Sequence, residues 1–449
     1  MGPRVRAMHE GLSRASAANP DSFLLPYWAA LVDGTATFED FLPLVCTRRR
    51  LTYLTIDTTG ACDLKCTGMC YYNPDIPLRR PLVAETALVE AIRESARDLS
   101  LAVLAFAGKE PFLNHVRLFS LLKEAGSIPD REFIIGIVTN GRHIARHADK
   151  LSTASQEGCL DYVDVSIDTA NAAEHDLFRG LDGTHNRAMS AVRWLNSELK
   201  EVRSTVVSVL REDNHQGILD LIRDLAAVNT YYQIQPIQPP PYSTIQPLSF
   251  DYIIRFLNTL VETLAGPMAG AKVHVSIELL GIYLLEAFQA GFFDWSDLRE
   301  DSNATIYVEK TLGGNTFVIT FELFPLQAWR LARITYTGAY LAHMHFLQSP
   351  DPDQYAVGFL GQQSITSLFD RAVEHSSHFD QVVQSRTNHD CAGRPCWPNC
   401  FGGWNGAENA FLEKGRKLSD QPRLCTKKRE DLILLEAETG YAPKLLRQS

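Results

Sequence analysis

Apolar segments rich in β-branched residues alternate with helical patterns along the first half of the chain. Between these segments, apolar residues recur at steps of three and four, which is typical of amphipathic helices. Strands that alternate with helices are typical of βα units in a parallel sheet, whose strand carboxyl ends all meet at one edge. The strands are predicted at 51–56, 101–107, 133–138, 162–167, 205–210 and 232–237, and the helices at 86–99, 112–125, 144–156, 185–198 and 217–228. The sequence therefore predicts an α/β fold.

The flanking segments show other patterns. Residues 1–50 carry two weakly amphipathic stretches, around 8–18 and 38–44, and are expected to form an N-terminal extension. After the proline-rich segment 238–242, helical patterns occupy 252–264 and 276–290, and a hairpin is predicted with its turn at Gly313-Gly314. Residues 332–346 are expected to be rich in β-structure. The predicted domains are 1–50, 51–240, 241–330 and 331–449.

Seven of the nine cysteines fall into two groups. Cys62, Cys66 and Cys70 directly follow the first predicted strand, and three thiolates on one loop are a ligand set for a metal ion or an iron–sulfur cluster. The alternatives are a structural turn and a zinc site completed by a distant residue. Zinc would need a fourth cysteine or histidine ligand, and the next histidine along the chain is His115. The second group is Cys391, Cys396, Cys400 and Cys425, which could hold a cluster or a structural zinc.

Composition narrows the class of protein. A hydrophobic fraction of 45% and a charged fraction of 21% are ordinary for a globular protein, and a net charge of −10 argues against nucleic-acid binding. No signal peptide is recognisable, and the most apolar run, 277–290, is short and carries Glu278 and Glu286, so no membrane span is expected. Because the cysteines are grouped, we expect them to bind a metal or a cluster rather than to form disulfides. Reduced cysteines are typical of the cytoplasm, which is therefore the expected compartment.

The loop 62–70, with Tyr71 after it, resembles the cluster loop of radical S-adenosylmethionine (SAM) enzymes. The common spacing in that family is three residues and then two, whereas here it is three and three. The segment 107–111 resembles the family's Gly-Gly-Glu-Pro motif, with Lys109 in place of a glycine. The resemblance implies a partial (βα)6 radical SAM barrel, a catalytic [4Fe–4S] cluster on the three cysteines, and reductive cleavage of SAM to a 5′-deoxyadenosyl radical that abstracts a substrate hydrogen.

The resemblance also implies the residues that position SAM. Glu110 would meet the amino group of SAM, and Asn140 ends the third strand as in the family. Ser166 and Asp168 match polar positions near the ribose and the carboxylate, and Arg179 is a candidate for binding the carboxylate. Residues 207–214 correspond to the segment that lies against adenine.

The C-terminal cysteines resemble the auxiliary-cluster extension called SPASM. Its first cysteines have no counterpart at 338–343, and Trp404 stands where another cysteine is common. The resemblance implies an α+β extension that binds one auxiliary [4Fe–4S] cluster through Cys391, Cys396, Cys400 and Cys425, with no open iron position.

The expected substrate is a peptide or a peptide-derived natural product that undergoes crosslinking, epimerisation or oxidation, with flavodoxin or ferredoxin as the electron donor. The absence of a recognisable leader-peptide-binding domain in residues 1–50 counts against a peptide. Oxidation or remodelling of a small metabolite such as a sugar, nucleoside or amino acid is the alternative. A non-catalytic iron–sulfur or zinc-binding protein is the alternative of another class.

Other candidate residues carry two interpretations each. Cys46 and Cys159 could return a hydrogen atom to a substrate radical, although an unpaired cysteine is more often a buried apolar residue. His143 and His147 are spaced like a metal-binding helical pair, although a solvated helix face is the more frequent case. His343 and His345 could reach a substrate pocket or lie at the surface.

Overall fold

The computed structural model describes residues 3–36, 40, 50–66, 70, 72, 81–238, 245, 248–301, 305–322, 330–342, 346–347 and 351–374. The strands of these residues form one sheet of 13 strands, in the order β13-β12-β11-β1-β2-β3-β4-β5-β6-β7-β10-β9-β8. None of the helices in this part of the chain is long and apolar enough to cross a membrane.

All six predicted strands form, and each pairs in parallel with the next. They are β1 (Tyr53–Asp57), β2 (Val103–Ala107), β3 (Ile134–Thr139), β4 (Tyr162–Ser166), β5 (Arg203–Leu210) and β6 (Tyr231–Pro236). The helices between them are α3 (Glu85–Asp98), α4 (His115–Gly126), α5 (Ala148–Gln156), α6 (Ala172–Arg179), α7 (Thr184–Glu198) and α8 (His215–Leu225). The predicted α/β fold is confirmed; α6 was not predicted.

The two faces of the parallel sheet differ in burial. Residues that face the helices are almost fully buried, as Leu54, Phe106 and Ile137 show with no exposed surface. We call the opposite side of the sheet the inner face. On β4, β5 and β6 its residues are partly exposed between the buried positions. Strand alternation therefore places a hydrophobic core on the helical side and leaves part of the inner face of β4, β5 and β6 accessible to solvent.

The parallel sheet continues beyond β6. Strand β7 (His274–Leu280) pairs in parallel with β6, and β10 (Asn315–Glu322) pairs in parallel with β7. The predicted helix over 276–290 is therefore wrong in its first half; only α10 (Leu284–Gln289) is an α-helix there. The physical reason is a period of two, since Val275, Ile277 and Leu279 are buried while Ser276 and Glu278 between them are partly exposed.

Two of the other expectations for this region are confirmed. Helix α9 (Phe250–Ala265) forms, as does the hairpin of β9 (Ile306–Leu312) and β10, whose turn uses the positive φ angles of Gly313 and Gly314. Strand β8 (Arg299–Glu300) extends this edge.

At the other edge, β11 (Leu331–Ile334) pairs in parallel with β1, and β12 (Ala339–Leu341) and β13 (Gly358–Phe359) follow in antiparallel order. Residues 365–374 are helical. The predicted β-rich stretch 332–346 is confirmed as far as residue 341, residues 343–345 lie outside the described part of the chain, and the parallel pairing with β1 brings β11 beside the first strand.

The N-terminal residues form two helices, α1 (Pro3–Ala18) and α2 (Leu24–Asp33). The Glu300 carboxylate accepts hydrogen bonds from the backbone N–H groups of Phe23 and Leu24, both at 2.8 Å, and so satisfies the first turn of α2. Helix α1 lies so close to the Trp295 ring that a Cβ on Gly11 would be 2.1 Å from it. Helix α2 was not predicted; the expected stretch 38–44 lies outside the described residues except residue 40.

Candidate functional site

The loop after β1 carries Cys62, Cys66 and Cys70, which are partly exposed and free of disulfide bonds. Their thiols are near enough for Cys66 to interact electrostatically with both of the others. Burial raises the pKa of Cys62 to about 12. A thiol in this environment stays protonated by itself, whereas coordination to a metal would deprotonate it. The donor set fits an iron–sulfur cluster with three protein ligands.

No three His, Cys, Asp or Glu side chains in the described ranges converge closely enough to hold a metal ion. The assignment of the cysteine loop therefore rests on its three cysteines, which form no disulfide, and on the contacts that hold the loop. The Lys65 N–H donates to the Arg179 carbonyl at 3.2 Å. Gly180 has a φ of 72°, and a Cβ there would lie 2.4 Å from the Lys65 carbonyl oxygen. The loop thus packs against the C-terminal end of α6.

Asp63, within the cysteine loop, contacts the segment after β3. Its carboxylate accepts from Asn140 Nδ2 at 3.0 Å, pairs with His143 Nε2 at 2.9 Å, and forms a salt bridge with Arg142. Burial raises the pKa of Asp63, but the His143 hydrogen bond and the Arg142 charge outweigh it and lower the pKa below its usual value. Sequence reasoning missed this residue, because nothing local marks an aspartate as the partner of residues almost 80 positions away.

The histidines after β3 do not form a metal-binding helical pair. His143 contacts Asp63, whereas His147 is buried and stacks on Phe112, with ring centroids 5.5 Å apart. Residue 143 lies in a turn before the helix α5. The expectation that the pair covers a solvated helix face is wrong, because His143 contacts Asp63 of the cysteine loop and His147 packs on Phe112.

Glu110 joins the carboxyl ends of β2 and β3. Its side chain is fully buried and accepts hydrogen bonds from Thr139 Oγ1 at 2.8 Å, the Asn140 N–H at 2.9 Å and the Phe112 N–H at 3.2 Å. Burial raises the pKa of Glu110 to about 7, although these hydrogen bonds oppose the shift. The backbone reaches this position through Gly108, whose φ is 103° and where a Cβ would lie 2.6 Å from the Thr59 carbonyl oxygen.

Asp168 and Arg179 form a buried, bidentate ion pair. Asp168 accepts from Arg179 Nε at 2.7 Å and Nη2 at 3.0 Å, and from the Val209 N–H at 3.2 Å. Burial alone would raise the pKa of Asp168, but the Arg179 charge lowers it below its usual value. The Arg179 guanidinium also hydrogen-bonds Cys66, so the two side chains of this ion pair together link the end of β4, β5 and the cysteine loop. Ser166 ends β4 on the inner face and is partly exposed.

A second buried ion pair connects β1 with the extension. Asp57 is fully buried at the end of β1 and accepts from Arg333 Nε at 2.9 Å and from the Tyr72 hydroxyl at 2.8 Å. Burial raises the pKa of Asp57, and the nearby Arg333 charge only partly offsets the shift. The Arg333 guanidinium also lies over the Tyr72 ring, 5.0 Å from its centroid. The sequence carried no signal for these contacts, since Arg333 and Asp57 are 276 positions apart.

Several predicted residues lie outside the described part of the chain. Cys159 is described; it is buried at the start of β4 and packs against the end of α4, where a Cβ on Gly126 would lie 2.4 Å from its sulfur. This is the edge of the sheet opposite the cysteine loop, which favours a core cysteine. The residues outside are Cys46, Tyr71, His343, His345, Cys391, Cys396, Cys400 and Cys425.

Residues 56–225 match the family model of the Radical SAM superfamily. The structure of SuiB from Streptococcus suis bound to the precursor peptide SuiA is similar to 89% of this chain and 81% of that one, with 12% identity and a TM-score of 0.60. Native anSMEcpe bound to AdoMet is similar over 86% of this chain and 96% of that one, with 16% identity and a TM-score of 0.56. At these identities the similarity shows the fold. No curated protein sequence matches this chain.

Proposed function

We propose that this chain, whose residues 56–225 match the Radical SAM family model, is a radical SAM enzyme that removes a hydrogen atom from a peptide substrate. When bound, a reduced [4Fe–4S] cluster supplies the electron that cleaves SAM to methionine and a 5′-deoxyadenosyl radical. The observation that carries the proposal is the loop of three cysteines without a disulfide after β1, held against the end of β3 through Asp63 and against α6 through Lys65.

The described side chains divide the work at the carboxyl edge of the sheet. Cys62, Cys66 and Cys70 would hold the cluster, and the hydrogen bonds of Asp63 and Lys65 position their loop. Glu110 and Asn140 contact each other at the ends of β2 and β3, next to that loop. This contact and the bidentate ion pair of Asp168 with Arg179 hold the edge of the sheet where SAM would bind.

Arg179 and Glu110, both expected to position SAM, already contact neighbouring groups of the chain. The Arg179 guanidinium is occupied by Asp168 and Cys66, so its remaining N–H donors are those that would face the SAM carboxylate. The Glu110 carboxylate accepts three hydrogen bonds from its neighbours. We therefore infer that Glu110 shapes the backbone around the SAM amino group and that Ser166, partly exposed on the inner face, meets SAM directly.

Two solved structures of similar fold carry peptides, which supports a peptide substrate: SuiB with its precursor peptide, and anSMEcpe with AdoMet and the Cp18Cys peptide. The latter is 15% identical to this chain, with a TM-score of 0.53. An auxiliary [4Fe–4S] cluster on Cys391, Cys396, Cys400 and Cys425 is part of the proposal. Their number and spacing support it.

The first test measures iron and sulfide after anaerobic reconstitution, in the wild type and in the Cys62/Cys66/Cys70→Ala variant. We expect about eight irons in the wild type and about four in the variant, which corresponds to two cubane clusters and one. Cys159→Ala is the matched control, because this cysteine lies at the opposite edge of the sheet and should leave the iron content unchanged. A C-terminal site that binds zinc would overturn the auxiliary cluster.

The second test measures 5′-deoxyadenosine and methionine after reduction with dithionite in the presence of SAM. We expect both products from the wild type and neither from the triple variant. If the wild type holds its clusters but never cleaves SAM, the proposed enzymatic function is wrong and an iron–sulfur binding protein becomes the better description.

A further inference from the structure

Four polar residues lie side by side on the inner face of β6, β7 and β10. The register pairs Glu278 with Thr320, and continuing the β6–β7 register places Gln235 beside Glu278, with Ser276 two residues earlier on β7. All four are partly exposed. Their strand neighbours Ile234, Ile277 and Ile319 face the helices and are almost fully buried, so alternation directs these four side chains to the accessible side.

In the four residues, which we call the acceptor wall, neighbours take both hydroxyl protons and one of the two Gln235 amide N–H donors. Ser276 Oγ donates to the Tyr232 carbonyl and Thr320 Oγ1 to the Ile277 carbonyl, both at 3.3 Å. Gln235 Nε2 donates to Glu278 Oε2 at 3.0 Å. A carbonyl oxygen can only accept, so each hydroxyl proton is committed. The wall therefore presents mainly oxygen lone pairs, from two hydroxyl oxygens, the Gln235 amide oxygen and the Glu278 carboxyl, beside the second Gln235 N–H.

Within the described ranges, the Glu278 side chain accepts one hydrogen bond, from Gln235, and forms no salt bridge. Burial raises the pKa of Glu278, and the single Gln235 hydrogen bond opposes this only in part. Two other inner-face carboxylates differ, because Arg333 neutralises Asp57 and the Arg203 charge lies near Asp164. A carboxyl group with little solvent and one hydrogen bond gains from a cation that brings further N–H donors.

The acceptor wall lies near the edge of the sheet that carries the cysteine loop. Gln235 is the second-last residue of β6, and Glu278 is two residues before the end of β7. The residues expected to hold the cluster and SAM follow or end β1 to β5, and the ends of β6, β7 and β10 lie beyond them, where the substrate would bind. A parallel sheet brings all these ends to one edge.

We propose that the acceptor wall binds a positively charged nitrogen group of the substrate, an ammonium or a guanidinium. Such a group offers a positive charge to Glu278 and several N–H donors to the oxygens around it. This inference rests on the proposed function, since it assigns the substrate chemistry of the same site. Gln235 orients the carboxyl group, and Ser276 and Thr320 complete the acceptor set.

The test uses two neutral-backbone probes, N-acetyl-lysine methylamide and N-acetyl-norleucine methylamide, whose side chains differ mainly in the terminal ammonium group. Binding to the reconstituted, SAM-loaded protein is measured anaerobically by saturation-transfer NMR, without reductant. We expect the wild type to bind the lysine probe about tenfold more tightly, which corresponds to one charge-assisted hydrogen-bonded pair. Glu278→Gln should remove this preference.

Glu262→Gln is the matched control, because it removes the same charge from the exposed surface of α9 and should retain the preference. Thr320→Val is a second, nearly isosteric variant that removes one acceptor oxygen and should weaken the lysine probe by about threefold. If loss of SAM binding shows that the Glu278→Gln protein does not fold, the result for Thr320→Val decides whether the proposal stands. Equal affinity for the two probes in the wild type, or an unchanged preference in a folded Glu278→Gln protein, overturns the proposal.

The NMR experiment is independent of catalysis. A wild type that prefers the lysine probe but never produces 5′-deoxyadenosine would retain the acceptor wall and refute the proposed enzyme. A wild type that cleaves SAM but shows no preference would retain the enzyme and refute the wall.

Discussion

The ion pair of Asp168 and Arg179 supports a quantitative prediction about the stability of the cofactor-free protein. Side-chain exposure is 0% for Asp168 and 11% for Arg179, and the contact is bidentate. Removing one member of a buried pair leaves the other charge without its partner, which typically costs about 3–5 kcal/mol. We therefore expect Asp168→Asn and Arg179→Met each to lower the free energy of unfolding by roughly this amount.

The double variant Asp168→Asn/Arg179→Met isolates the interaction energy of the pair from the other contacts of each residue. Because each single substitution already removes the same interaction, the two losses should not add, and the coupling energy should be about 2–3 kcal/mol. It should change little between about 0.05 and 0.5 M NaCl, since buried pairs are poorly screened. The assay is urea unfolding of the reduced apoprotein, followed by circular dichroism and tryptophan fluorescence, with coincident transitions required.

Arg93 and Glu124 provide the comparison pair. They are in contact at 2.9 Å but their side chains are 51% and 42% exposed, so their cycle should show no measurable coupling. Additive losses for Asp168 and Arg179, within about 0.5 kcal/mol, would refute the reasoning that this contact stabilises the ends of β4 and α6 as one unit.

Three further predictions concern other parts of the site. Burial raises the pKa of Glu110 to about 7 from 4.5, so its ionisation favours unfolding. Protonated Glu110 therefore stabilises the folded state at low pH, and this stabilisation is lost as the pH rises through about 7. Apoprotein stability should fall between pH of about 5 and 8, and Glu110→Gln should flatten that fall in urea titrations. Asp63→Asn should lower apoprotein stability by about 1–2 kcal/mol and slow cluster incorporation, measured by iron uptake, because it loses the charge that pairs with Arg142. Gly136→Ala should lower the melting temperature, since its Cβ would lie 2.1 Å from the Tyr162 ring and overpacking costs about 1–3 kcal/mol; an unchanged thermal transition would contradict this.

Local sequence patterns predicted the six strands and the helices that were assigned between them to within a few residues, because strand and helix periods are set by neighbouring residues. The same approach failed where the period was ambiguous. The run 276–290 is apolar at steps that fit a helix, yet its first half is β7, since pairing with β6 and β10 provides backbone partners that an isolated segment lacks. Helix α6 was missed because it spans only Ala172–Arg179.

From the sequence we could predict the candidate cluster and SAM residues: three cysteines after the first strand, Glu110 after the second, and Asp168 and Arg179 after the fourth. Their hydrogen-bond and ion-pair partners could be identified only in the folded chain. Asp63 contacts the end of β3, and Arg333 reaches Asp57 from 276 positions away, because a parallel sheet closes distant strands onto one edge. Strand alternation marks which side chains share a face, but register and burial decide which charges are neutralised. That is why the charge of Glu278, which has no partner among the described cations, could be recognised only from the folded chain.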